Sequence, residues 1–322
     1  MKPAPPVMKT RFPCKGTRAS LASASVDDFA QRAWRLILRR EPDEDAAGRL
    51  ERGEVSRARL VRELVESHEF ERVELLDDGL ARARAERLKQ GRPRELLAPA
   101  WADERAIEIP WALARYAGER RVLDVGYAFA EPAYLEGLVA LGAEELVGVD
   151  LAEKDVPGLR SVVADVRSLP FDDAGFGLAF CISTLEHVGR DNTRYEVAGD
   201  RDDDGDLAAL RQLRRVSDRV IVSVPTGMHD DQGWQVVRDP LDWVERFERA
   251  GFVVYEDELY VHALDGWRTA ALEEARAASY EEHRAGAVLL AELRPGTAGE
   301  KLRLAVRDVR HRDVVRRSTR VA

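Results

Sequence analysis

Apolar residues follow two different rhythms along this chain. Before residue 118 they recur at three- and four-residue intervals, and after it they gather into short β-branched runs. Phe29, Ala33, Trp34, Ile37 and Leu38 share one face of a helix that begins at Val26 and breaks at the Arg39–Asp43 run. A second helix is expected near 44–52, closed by Gly53. Ser56 is the N-cap of a third, with Leu60, Leu64 and Val65 inward. Residues 71–98 form an Arg/Glu-rich helix ending at Gln90-Gly91-Arg92-Pro93. A further helix over 101–117 carries Ile107, Ile109, Trp111, Leu113 and Tyr116. Residues 1–25 have no periodic order and read as an unstructured lead.

From Arg121 the period changes. Arg121–Val125 is a short buried strand that ends at Gly126. Pro132 opens a helix with Leu135, Leu138, Val139 and Leu141 inward, stopped by Gly142. Glu145–Asp150 is the next strand, with Asp150 at its carboxyl end. Further strands are expected at 158–165, 176–183 and 219–225, with a helix starting at Gly205-Asp206-Leu207 between the last two. An amphipathic helix at 241–250 turns Trp243, Val244 and Phe247 inward, and the last strands fall at 252–260 and 287–294. Strands alternating with helices mean an α/β domain around a mostly parallel sheet. In such sheets ligands bind outside the carboxyl ends of the strands, at the first turn into a helix. Gly126 allows close backbone approach there, and Asp150 can accept both hydroxyls of a ribose. The stretch therefore reads as a nucleoside-cofactor site.

A dinucleotide would want G-x-G-x-x-G around its pyrophosphate. The matching run here is Gly126-Tyr127-Ala128-Phe129-Ala130-Glu131, with one glycine and a carboxylate near the helix start, where a phosphate would be repelled. The run instead resembles motif I of the class I S-adenosylmethionine-dependent methyltransferases, acidic-x-Gly-x-Gly-x-Gly. Asp124 and Gly126 fit it, while Ala128 and Ala130 replace the second and third glycines. Leu169-Pro170-Phe171-Asp172 and Leu185-Glu186-His187 resemble two later motifs of that family, in the family's order. The resemblance implies a doubly wound, mostly parallel, seven-stranded Rossmann-like methyltransferase sheet, its last two strands antiparallel, and S-adenosyl-L-methionine as cofactor. It places cofactor contacts at Asp124, Gly126, Tyr127 and Ala128, at Asp150 and Leu151, at Asp165 and Val166, and at Ser183. Asp165 would meet the adenine amino group. His187, Glu186 and His229 are candidate bases near the strand ends, with His187 the best placed and taken as the catalytic residue.

Ahead of this domain, WRLILRREPDEDAAGRLERGEVSRARLVRELVESHEF resembles the small all-α DUF4214-type module found with surface-glycan enzymes. The chain then divides into a lead (1–25), this helical module (26–75), a helical connector (76–98), the methyltransferase domain (99–294) and a basic tail (295–322). The module implies a spacer or a site for a protein partner, and the acceptor is expected to be a small molecule or a glycan. Residues 189–206 form a long polar loop with Asp200, Asp202, Asp203, Asp204 and Asp206. Solvated loop, acceptor lid and metal site all remain open for it, although an EF-hand pattern is absent. It and residues 226–234, including Trp234, are the expected acceptor walls. No His/Cys cluster has metal-ligand spacing.

Composition narrows the remaining classes. A net charge of −9 argues against a specific nucleic-acid binder. Cys14 and Cys181 make no disulfide framework, no apolar run is long enough to span a membrane, and a secretory signal is absent, so a cytoplasmic location is expected. The tail permits an amphipathic helix through Leu302, Leu304, Val306 and Val309. Two alternatives stay open: a methyltransferase-like scaffold without activity, favoured by Ala128 and Ala130, and a nicotinamide enzyme on the same topology.

Overall fold

The computed structural model describes residues 26–42, 44–193, 201–281 and 284–296. The expected lead (1–25), nearly all of the tail (297–322) and Asp200 of the acidic loop lie outside the described residues. The chain divides into two compact units, with the break between Glu71 and Arg72.

In the N-terminal unit, α1 (Val26–Ile37), α2 (Glu44–Glu51) and α3 (Arg57–Val65) enclose Ala33, Trp34, Leu38, Leu50, Leu60 and Leu64. Ser56 caps α3 from an extended backbone, its Oγ accepting the Arg59 N–H at 3.3 Å. Replacing Ser56 with alanine is expected to destabilise this unit by about 1 kcal/mol, which a urea titration followed by helical circular dichroism would measure. Helix α4 (His68–Leu88) contains the break and stops earlier than the predicted 71–98. Gln90, not Gly91, takes the left-handed position (φ 55°). The Gly91 N–H then reaches the Glu86 carbonyl at 2.8 Å and the Gln90 N–H that of Arg87 at 2.9 Å, a Schellman ending.

The C-terminal unit is built on one sheet. Strands β1 (Arg121–Val125), β2 (Glu145–Asp150), β3 (Arg160–Val163), β4 (Leu178–Ile182) and β5 (Val220–Thr226) pair in parallel. A short ribbon, β6 (Asp230–Asp231) and β7 (Val236–Val237), follows β5. Strand β8 (Phe252–Ala263) turns through Leu264-Asp265 into β9 (Gly266–Thr269), and β10 (Ala287–Pro295) inserts antiparallel between β5 and β8. The order is β3-β2-β1-β4-β5-β10-β8-β9, so among the described residues the sheet has eight strands and not the expected seven. The extra one is β9. Only four residues long, it shows no period of its own, and its pairing follows from β8 running three residues past the predicted Tyr260.

Strand alternation sorts the side chains between two cores. Val122, Leu178 and Phe180 point to the layer of α5 (Arg105–Leu113) and α6 (Pro132–Val139), together with Ile107, Trp111, Leu135 and Leu138. Leu123, Val125, Ala179 and Cys181 point to the opposite layer. There α7 (Gly205–Val216) and α8 (Pro240–Arg249) supply Leu210, Leu213, Trp243 and Phe247. A last short helix, α9 (Leu272–Ala277), precedes β10. The same period aims Asp124 at the α5/α6 side. Among the described residues, no helix is long and apolar enough to cross a membrane.

Candidate active site

The first turn of the sheet is closed by a contact that only glycine permits. Gly126 sits at φ 91° with its N–H on the Val149 carbonyl at 2.9 Å. A Cβ there would overlap Thr184, whose Cγ2 would lie 2.9 Å away. The Thr184 hydroxyl in turn lies 3.1 Å from the Val125 carbonyl and 2.9 Å from that of Ile182, tying the turns after β1 and β4 together. Asp150, at the end of β2, braces this turn from the other side. Its Oδ2 accepts the Ala128 N–H at 3.0 Å, and its Oδ1 accepts the Leu151 N–H at 2.6 Å. Between these strand ends and α5 opens a cavity of about 270 Å³.

Asp124, Gly126, Asp150, Leu151, Asp165, Val166, Ser183 and His187 all line that cavity. Tyr127 and Ala128 are not among the residues that line it. The turn after Gly126 is a single 3-10 turn, Tyr127–Phe129, and it rotates the Tyr127 ring beneath β2, against Gly148. The Tyr127 hydroxyl is spent on the Lys154 carbonyl at 3.2 Å and on Ser161. Ala128 contributes its N–H to Asp150 and keeps its methyl buried. Asp165 reaches the cavity already paired: the Arg167 guanidinium meets its carboxylate at 2.7–3.1 Å. Burial pushes the Asp165 carboxyl up, but the bonds from Arg167 outweigh it and hold it below the usual range.

Several wall residues carried no motif signal. Glu108 on α5 is fully buried, and the Ser183 hydroxyl lies 2.9 Å from each of its carboxylate oxygens. Burial, and then the charge of Glu104, push its carboxyl up to about 7. An acid inside the apolar run Ile107–Leu113 was the one visible hint. Asp124 meets the Tyr134 hydroxyl of α6 at 2.5 Å, while its Oδ2 is buried with no hydrogen-bond partner. Burial raises Asp124 to about 8, although the Tyr134 bond works the other way and the Asp150 charge adds to the rise. Three arginines also line the wall, each engaged with acids: Arg105 with Glu104, Arg167 with Asp165, and Arg190 with Asp203 and Asp231 at 3.0 Å. The acidic run thus serves as ion-pair partner to the arginines around it. Asp204 and Asp206 take Arg246, and Asp206 also takes Arg238 at 3.0 Å.

A second cavity of about 150 Å³ adjoins the first and shares Arg105 and His187 with it. Glu104, Glu186, Trp234, Gln235 and Tyr280 complete its polar and aromatic wall. His187 stacks on Trp234, with ring centroids 5.3 Å apart and planes at 25°. Its Nδ1 lies 3.0 Å from the Trp234 carbonyl, which can only accept, so the proton sits on Nδ1. In the neutral ring Nε2 is then the basic nitrogen, 3.8 Å from Glu186. His229 is exposed and lines neither cavity.

This donor set fits a cation better than a pyrophosphate. The cavity offers a buried carboxyl oxygen without a partner, further carboxyls at Glu108 and Asp150, and arginines already engaged with acids. Residues 123–198 match a family model described as a methyltransferase domain. No curated protein matches the chain significantly. Among similar solved structures is the Burkholderia thailandensis 1,6-didemethyltoxoflavin-N1-methyltransferase, solved with bound 1,6-didemethyltoxoflavin and S-adenosylhomocysteine. It is 14% identical over 83% of this chain and 91% of that one, with a TM-score of 0.39. A chain from the complex between the Haloferax volcanii Trm112 methyltransferase activator and a methyltransferase is 17% identical over 69% of this chain and 98% of that one, with a TM-score of 0.40. An S-adenosylmethionine-dependent methyltransferase from Mesorhizobium loti is 15% identical over 54% and 90%, with a TM-score of 0.35. Residues 123–198 thus match a methyltransferase domain, carried here on a Rossmann-like sheet.

Proposed function

We propose that the chain transfers the methyl group of S-adenosylmethionine to a small-molecule or sugar acceptor. The observation that carries this is the buried Asp124 oxygen without a partner, set beside Gly126 and Asp150 in a cavity that opens into a second one. The cofactor brings an activated methyl on a cationic sulfur, so what the protein must add is alignment and a place for a proton. Asp150 would hold the ribose, Leu151 and Val166 would flank the adenine, and Asp124 and Glu108 would face the cationic end. Asp165 would turn to the adenine with whatever accepting capacity its pairing with Arg167 leaves. His187 touches both cavities, and its Nε2 would take the acceptor's proton. The N-terminal helices, by their resemblance to the glycan-associated module, would act as a spacer or bind a protein partner.

Calorimetric titration with S-adenosylmethionine and, separately, with NAD tests the reading. Micromolar binding of the first alone would support it. A folded protein that binds neither would leave the scaffold alternative, with Ala128 and Ala130 in place of glycines as its basis. The titration also has an expected pH signature. Asp124 and Glu108 keep their protons in the folded protein up to about 8 and about 7. Their contribution to stability is complete below the ordinary carboxyl range and is lost as pH rises through those values. A bound cation favours the carboxylates, so binding at pH 6.5 should release on the order of one proton and tighten as pH rises toward 8. Equal heats in buffers of different ionisation enthalpy would refute this.

A further inference from the structure

The second cavity carries more specific chemistry than a generic acceptor requires. Glu104 and Glu186 are each more than nine-tenths buried, and the Oε2 of each has no hydrogen-bond partner. Both line this cavity. Glu104 directs its other oxygen to Arg105, which leaves Glu186 as the carboxyl of the pair without an arginine. Burial pushes the Glu186 carboxyl well above its ordinary range, and a cationic donor in this cavity is what would return it to the charged, accepting form. An ionised carboxylate can only accept, and a hydroxyl supplies a single proton to be shared. An ammonium or amine nitrogen supplies two or three, together with positive charge. The remaining wall, Trp234 against Tyr280 at 6.2 Å, gives an aromatic face for the body of such a molecule.

We propose that this second cavity is the acceptor subsite and that its acceptor is a nitrogen base, an amine or amino sugar held through its N–H groups by Glu104 and Glu186. The proposal rests on the methyltransferase reading. Bound as an ammonium, the nitrogen gives one proton to Nε2 of His187, and the neighbouring Glu186 stabilises the imidazolium that results. The exposed lone pair then forms the N–C bond as the C–S bond breaks. The positive charge passes from sulfur to nitrogen, and a neutral thioether is left.

Benzylamine and benzyl alcohol differ only in the group that would face the two carboxylates. Their affinities for the full chain, measured by ligand-observed NMR with and without saturating S-adenosylhomocysteine, test the subsite directly. The wild type should bind the amine at least about tenfold more tightly than the alcohol. Glu186→Gln and Glu104→Gln should each remove most of that preference while leaving the alcohol's affinity unchanged, and two variants guard against one that fails to fold. Equal binding of both probes, no binding of either, or a preference that survives both substitutions would overturn the proposal. Failure of S-adenosylhomocysteine to bind while the amine preference persists would instead sink the methyltransferase reading. Methylation of alcohols only would sink the nitrogen-base proposal and leave that reading standing.

Discussion

Replacing Glu256 with alanine is expected to cost the sheet unit about 3–5 kcal/mol, the scale of breaking a buried ion pair from one side. Glu256 on β8 lies directly opposite Glu292 on β10, an arrangement that places two carboxylates side by side in the interior. Like charges so placed repel, and the fold answers with arginines brought from distant segments. Arg92 reaches Glu256 at 2.6 Å and Glu292 at 2.8 Å, Arg94 reaches Glu256 at 2.7 Å, and Arg219 reaches Glu292 at 3.3 Å. Arg115, with no exposed side-chain surface, meets Glu256 at 3.0 Å and lies over the Trp111 ring at 3.3 Å. Without Glu256 the buried Arg115 guanidinium loses its carboxylate and cannot reach water. Burial pushes the Glu256 carboxyl up, but Arg115, Arg92 and Arg94 prevail and hold it at about 2, against 4.5 ordinarily. Its stabilising contribution is thus complete above pH 4.5 and disappears between there and about 2. Urea unfolding at pH 7 should show the full deficit of Glu256→Ala, and wild type and variant should converge as pH falls through that window. A deficit under about 1 kcal/mol at pH 7 would mean that the network is loosely solvated.

That network also marks where the sequence stops being legible. Arg92 reads locally as part of a helix ending, and its pairing with residues on β8 and β10 arises only when the sheet closes. The turn from β1 through Gly126 to α6 and β2 could be read because its signals are local: a β-branched run, a glycine, a proline at the helix start and an acid at the strand end. Ser56 and Gly142 were readable for the same reason. Glu108 and Tyr134 belong to helices whose apolar period says which face is buried, but not which strand end that face covers. The direction of the Tyr127 ring was not readable, since it follows from the 3-10 turn that swings it under β2. Of the second cavity the sequence marked only Glu186, His187 and Trp234. The cavity is made by the turn after β4, the segment beside β7 and the residues before β10, which only the inserted antiparallel strand brings together.

The largest expected effect on binding belongs to Asp150→Ala. Its carboxylate already accepts N–H groups from Ala128, Leu151 and, at 3.3 Å, Ala152, so it fixes the backbone on both sides of the cavity mouth. Two oxygens offer about four accepting positions, and with three amides in place one is left for a ribose hydroxyl. Hydrogen bonds to a charged group contribute about 1.5–3 kcal/mol each. Losing one should therefore weaken S-adenosylhomocysteine binding by about tenfold or more. Two outcomes separate recognition from scaffolding. If Asp150 mainly braces the turn, Asp150→Ala should lower the melting temperature and loosen the Gly126 turn in hydrogen exchange before it affects affinity. If it binds the cofactor, a variant with near-native melting should still fail to bind. Asp150→Asn sharpens the distinction, because the amide keeps one accepting oxygen but turns a donor toward the N–H of either Ala128 or Leu151. It should bind at least about tenfold more weakly than wild type. Native affinity in a folded Asp150→Ala protein would place the ribose elsewhere, and the strand-end site would have to be given up.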